Sequence, residues 1–175
     1  MSDKAFRLMA RIAAMAIILV APAAFAREFF VGGPVHKNDM EIVANYLVGI
    51  EMAPRMEDMP QGPDVIHLEA DVHATADNVY GYPDGAWIAY LTINYTLTKQ
   101  GSDWKTSGSL KPMTAKDGPH YADNVKMGGP GTYTVIYSFT PPEANGFLRH
   151  IDKETGVPAW WDRFSESFTF TYPQK

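Results

Sequence analysis

His67, Glu69, Asp71 and His73 occur at every second position of one short stretch, alternating with Ile66, Leu68, Ala70 and Val72. Successive side chains of a β-strand point to opposite faces, so this spacing places one apolar face against a core and gathers four metal-ligating groups on the other. Two further fragments carry ligand chemistry. Met113 and His120 are separated by six residues in Pro112-Met-Thr-Ala-Lys-Asp-Gly-Pro-His-Tyr121, and His150 lies in Phe147-Leu-Arg-His-Ile-Asp152. The chain has no cysteine. A donor set of imidazole, thioether and carboxylate points to copper or ferrous iron rather than to a structural zinc site.

Distance limits which of these groups can share an ion. His67 and Glu69 have α-carbons roughly 7 Å apart at the strand rise, and long side chains converge on one ion from there. His73 lies roughly 20 Å from His67 by the same rise and cannot join that centre. His73 and His36 are read as surface histidines. Taken alone, His67 fits a surface position as well. Asp117-Gly118-Pro119 is a turn former, since Asp accepts nearby backbone N–H bonds, which makes Met113 part of a loop or a short extension of a strand. Such a methionine can pack on a core or ligate a soft ion. Met52, Met56 and Met59 leave the same choice between flexible packing and a second soft-metal patch. Imidazole ligands near their ordinary pKa of ~6.5 predict metal affinity that falls below about pH 6.

The elements that position these groups are short and rich in β-branched and aromatic residues, with Gly and Pro between them. Strands are expected near 40–48, 64–74, 86–99, 132–140 and 166–172. The first of them also fits a helix. Gly128-Gly-Pro-Gly131 lacks the Lys-Ser/Thr ending of a phosphate loop and precedes a strand, so a hairpin turn is expected there. Trp160-Trp161 reads as core or interface bulk. Regularly spaced short strands predict an all-β fold, an antiparallel sandwich.

Lys4, Arg7 and Arg11, the uncharged run from Ile12 to Val20, and Ala24-Phe25-Ala26 predict a secretory signal peptide over residues 1–26, the apolar run being short for the alternative of an N-terminal membrane anchor. Cleavage leaves 27–175 as one domain of ordinary size. The leader removes three basic residues and one acidic one from the 15 and 20 of the whole chain, so the mature formal charge is −7. An acidic exported domain is a poor partner for nucleic acid and a good one for cations. Several catalytic designs are excluded by residue type. No cysteine means no thiol nucleophile and no blue-copper thiolate, and neither Gly-x-Ser-x-Gly nor His-Glu-x-x-His occurs. A mature chain beginning at Arg27 cannot supply an N-terminal histidine brace.

Four segments together are similar to a known family. Asp64 to Asp71, Gly85-Ala-Trp-Ile-Ala-Tyr-Leu91, Pro112 to Tyr121 and Gly146-Phe-Leu-Arg-His-Ile-Asp-Lys-Glu-Thr-Gly156 resemble the periplasmic, iron-transport-associated Tpd proteins. The resemblance spans essentially the whole mature chain. It implies an immunoglobulin-like β-sandwich and a homodimer with metal sites near the interface. It also implies copper ligands at His67, Met113, His120 and His150, with Glu69 as the acidic metal-binding residue. Lys111 and Ala89 depart from the family pattern of a bulky apolar residue and a proline, and Lys111 would bring positive charge near Met113. The expected function is a periplasmic protein that binds copper and iron, with manganese or zinc as surrogates, and supports uptake through an inner-membrane iron permease. A copper-dependent ferrous oxidase acting before uptake is the rival reading.

Overall fold

The computed structural model describes residues 27–174, so the leader expected at 1–26 lies outside the described residues. Eight strands follow one another with almost no helix: β1 Arg27–Lys37, β2 Met40–Val48, β3 Val65–Ala74, β4 Thr92–Lys99, β5 Lys105–Ala115, β6 Gly118–Lys126, β7 Gly131–Thr140 and β8 Phe164–Tyr172. A single 3₁₀ turn spans Pro142–Asn145. Their order is β1-β2-β3-β6-β5-β4-β7-β8, and every neighbouring pair is antiparallel. The fold is therefore all-β and sandwich-like, as the alternation predicts.

β5 makes the corner between the two layers. Its first half pairs with β4 through Leu110, and its second half pairs with β6 from Lys111 onward. A strand that changes sheet in this way closes one side of a sandwich. At the opposite side β1 and β8 approach through side chains: Lys37 Nζ reaches Glu166 Oε1 at 3.0 Å, and Gln174 Nε2 donates to the Phe30 carbonyl at 2.8 Å. Gly32 belongs to this seam, because a side chain there would run into the Phe168 ring.

The core lies between the layers. Ile42, Tyr46, Ile66, Leu68 and Val72 from one meet Ile93, Leu97, Val135, Tyr137 and Phe139 from the other, all fully buried. β2 buries Met40, Ile42, Ala44 and Tyr46 at every second position with Glu41 and Val43 half-buried between them, so a period of two prevails over the helical alternative.

Three strands are absent from the sequence reading. β1 joins β2 through Asn38 and Asp39, both left-handed (φ 53° and 58°), as a two-residue hairpin loop requires. β5 and β6 form a second hairpin around Lys116 and Asp117, with Ala115 opposite Gly118. Met113 is therefore a strand residue and not a loop residue. The expected strand at 86–99 begins only at Thr92, because Tyr90 adopts φ 63° and breaks the extended run. Gly128–Gly131 is a turn, but it joins β6 of one layer to β7 of the other, which do not pair, so it is no hairpin.

Candidate metal centre

β3 presents its polar face to a roofed cleft. Register pairs His67 with Asn124 and Glu69 with Ala122 on β6, and places Leu47 and Asn45 of β2 on the other side. Both flanks of β3 are thus covered, and His67 and Glu69 are only 3% and 7% exposed. The β5–β6 hairpin supplies the rest. Met113 and His120 are direct cross-strand partners, so the six-residue spacing is what a two-residue loop imposes on facing positions. His120 is buried and Met113 half-buried, and both line the cleft with His67 and Glu69.

One ligand atom from each of His67, Glu69 and His120 lies within 4.8 Å of the other two. Glu69 Oε1 sits 3.6 Å from His67 Nε2 and 3.3 Å from His120 Nε2. The two rings meet edge to face with centroids 5.9 Å apart. His120 Nε2 is buried without a hydrogen-bond partner. A buried nitrogen left unpaired is costly, and coordination of an ion would satisfy it. Two imidazoles, a carboxylate and a nearby thioether make a mixed donor set that fits copper or ferrous iron.

Asn124 fixes which nitrogen of His67 faces the centre. Its Nδ2 donates to the Pro60 carbonyl at 2.9 Å, which has only acceptors, so Oδ1 must face the ring. Oδ1 lies 2.7 Å from His67 Nδ1 and accepts its proton. Nε2 then carries a lone pair directed at Glu69 and His120, the usual way an outer partner sets a ligating imidazole.

Burial raises the Glu69 pKa to about 8, with the Asp71, Glu28 and Asp117 carboxylates adding to it. His67 is pushed below the usual imidazole range, first by burial, against its hydrogen bond to Asn124, and further by the neighbouring His120. Without a cation, Glu69 therefore holds a proton at neutral pH beside a neutral His67. A metal ion held by the cluster would take the place of that proton.

Other expected groups are distributed differently. His150 does not line the cleft of its own chain. It is exposed in the segment after the 3₁₀ turn, with Nδ1 2.7 Å from Thr155 Oγ1. Lys111 turns away from the centre and places Nζ 3.0 Å from Asp58 and 3.5 Å from Asp123, so two carboxylates neutralise the charge expected near Met113. Met52 lines the cleft, whereas Met59 is buried and Met56 is 42% exposed. Trp160 stacks on Tyr80 and Trp161 packs edge-on against Phe164.

Asn124 and Glu28 are absent from the sequence reading. Glu28, Glu69 and Asp71 form a second group whose ligand atoms lie within 4.8 Å of one another, so Glu69 is common to a nitrogen-rich and an oxygen-only set. Both residues sit on strands, β6 and β1, that Gly and Pro conceal.

The family model described as Fe2+ transport protein matches residues 25–173. A UPF0423 protein of Brucella abortus is 42% identical over 158 residues, covering 89% of this chain and 87% of its own. A copper-bound variant of FetP from uropathogenic Escherichia coli superimposes with a TM-score of 0.80 at 46% identity, covering 84% of this chain and 98% of that one. Another FetP structure is of protein expressed recombinantly in the periplasm of E. coli. Copper-reconstituted P19 of Campylobacter jejuni matches at TM-score 0.80 and 43% identity, over 84% of this chain and 97% of its own.

Proposed function

The chain belongs to the Fe2+ transport protein family, and from that premise we propose that it is a periplasmic metal-binding protein serving iron uptake. In this reading residues 1–26 direct export, and the mature domain is an immunoglobulin-like sandwich. His67, Glu69, Met113 and His120 hold copper or ferrous iron, and the cargo passes to an inner-membrane permease. The observation that carries the reading is the buried His67–Glu69–His120 cluster with its unpaired His120 nitrogen. Copper-bound FetP and P19, at more than 40% identity, support the choice of ion.

The residues have separable tasks. Asn124 holds the His67 tautomer, the imidazoles and Met113 favour softer ions, and Glu69 favours ferrous iron or manganese. Calorimetric titration of the metal-free mature protein with Cu(II), and with Fe(II) under anaerobic conditions, tests the reading. One tight equivalent is expected for copper. Absence of stoichiometric binding by either ion overturns it.

His150 belongs to this reading as a donor from a second copy. Its exposed position between Leu148 and Ile151, which are 89% and 79% exposed, suits a two-fold contact in which each chain completes its partner's centre. Mixing His150→Ala with His67→Ala protein restores one full site per heterodimer in that arrangement. If His150 acts within its own chain, mixing restores none.

One observation favours the ferrous oxidase instead. Glu69 joins the imidazole set to the Glu28–Asp71 carboxylates, which would place a hard-ion set directly beside a copper set. Oxygen consumption with excess Fe(II) separates the two. An oxidase turns over continuously, with dioxygen taking the electrons and ending as water, whereas a carrier stops after its bound ions have reacted.

A further inference from the structure

Two histidines that read as unrelated surface residues become neighbours in the sheet. His36 of β1 is the direct cross-strand partner of Glu41 of β2, and Glu41 is the direct partner of His73 of β3. Opposed residues of an antiparallel ladder project to the same side. The adjacent Ile42 and Val72 are fully buried, so the row His36–Glu41–His73 faces outward. His36 Nε2 lies 3.1 Å from Glu41 Oε2. The His36 and His73 α-carbons are two strand spacings apart, roughly 10 Å. The ligand atoms of the row do not all stand within 4.8 Å of one another, so the exposed side chains would turn toward one another to reach one ion at bonds of about 2.0–2.1 Å.

The three side chains share a pocket of about 220 Å³ whose other wall includes Asp84. His73 is held from both sides, by Glu41 on β2 and by a single bridge to Trp87, so its backbone is not a free edge. We propose that His36, Glu41 and His73, with Asp84 as a further oxygen donor, form a second, open site for a divalent transition-metal ion. Two imidazoles and two carboxylates suit zinc, copper(II) or ferrous iron, and they disfavour calcium and magnesium, which take oxygen alone. A plain surface ion pair accounts for His36 and Glu41. The register that sets His73 beside the pair, with Asp84 lining the same open pocket, is what extends the pair into a four-donor group.

Exposure sets the character of the site. His36 and Glu41 side chains are 60% and 45% exposed, so the ion stays hydrated in part and exchanges readily. His73 also lines the larger cleft with Asp71, Glu69 and His67, which makes it the residue common to both cavities. An ion held at the open site thus stands at the outer end of one continuous line of donors along β3. The assignment rests on this row alone and not on the buried centre.

Zinc titration of the mature protein with ¹⁵N-labelled histidine, followed by ring resonances, reads the two sites separately. The His36 and His73 rings are expected to shift together, in a step distinct from that of His67 and His120. His36→Ala should weaken the His73 response at least ten-fold, and Glu41→Gln should weaken it less. Both replacements are at exposed positions and leave the core intact. Silence of the His36 and His73 rings at excess zinc overturns the proposal, as does an unchanged His73 response in His36→Ala. Failure of the buried centre would appear instead as silence at His67 and His120.

Discussion

The two ends of the polar face of β3 carry similar residues in opposite surroundings. At one end His67 and Glu69 are nearly dry, with β2 and β6 on either flank and the β5–β6 hairpin overhead. At the other, His73 stands beside exposed His36 and Glu41. Strand period places ligands at both ends alike, and the neighbouring strands decide how much water remains. Where water is excluded, a carboxylate keeps its proton up to about pH 8, a nitrogen is left unpaired, and electrostatic attraction to an ion is stronger than at the surface. On the proposed reading the same donors would make a selective, proton-coupled centre at one end and an exchangeable one at the other.

The largest effect is expected from removing a buried imidazole. His67→Ala or His120→Ala should weaken copper binding about a hundred-fold or more, roughly 3 kcal/mol, by calorimetry. Met113→Ala should cost less, since a thioether is the weaker ligand. Native copper affinity in His120→Ala would erase the distinction between the two ends.

Glu69 sharpens the contrast through pH. Its carboxyl is raised in the folded state, so the native chain holds a proton that the unfolded chain releases above about pH 4.5. The stability of the metal-free protein should therefore be fullest below that pH and decline as pH rises towards about 8. Glu69→Gln should flatten the decline and stabilise the metal-free protein at pH 8 by on the order of a few kcal/mol, measured by thermal unfolding. Metal binding has the opposite sign, because ligation needs the carboxylate. Affinity should rise with pH up to about 8, and copper titrated at pH 6.5 in buffers of different ionisation enthalpy should release a proton from Glu69. The imidazole-controlled fall below about pH 6 expected from residue types is thereby moved upward to a carboxylate.

Asn124→Ala should weaken copper ten- to a hundred-fold by freeing the His67 tautomer, with the ring resonance of His67 reporting the change. His73→Ala should alter copper affinity at the buried centre by less than about two-fold, since it lies roughly 20 Å from His67. A larger effect would mean that the two ends act as one site.

Much of this was legible from residue types. Alternation from Ile66 to His73 predicts β3 and its buried face, the same period predicts β7 and β8, and the segment at 40–48 that also fits a helix is the strand β2. Two of the hidden strands contain glycine where a neighbour comes close. Gly108 in β5 lies under the Tyr95 ring, and Gly32 in β1 lies under Phe168, so each strand carries the residue that ordinarily argues against one. The Met113–His120 spacing was visible, but not the hairpin that gives it meaning. Asn124 and Glu28 reach the site only through long-range pairing of β6 and β1, which local pattern does not encode. The approach of His36 to His73 is of the same kind: two chain segments far apart in sequence share a register with Glu41.

The central claim, that His67 and His120 together face one ion, is tested most directly by pulsed electron paramagnetic resonance of the copper(II)-loaded mature protein. Two imidazoles on one ion give combination lines from their remote nitrogens. The account predicts those lines in the native protein and their loss, with single-imidazole lines remaining, in His120→Ala. A native spectrum showing one imidazole or none would contradict it.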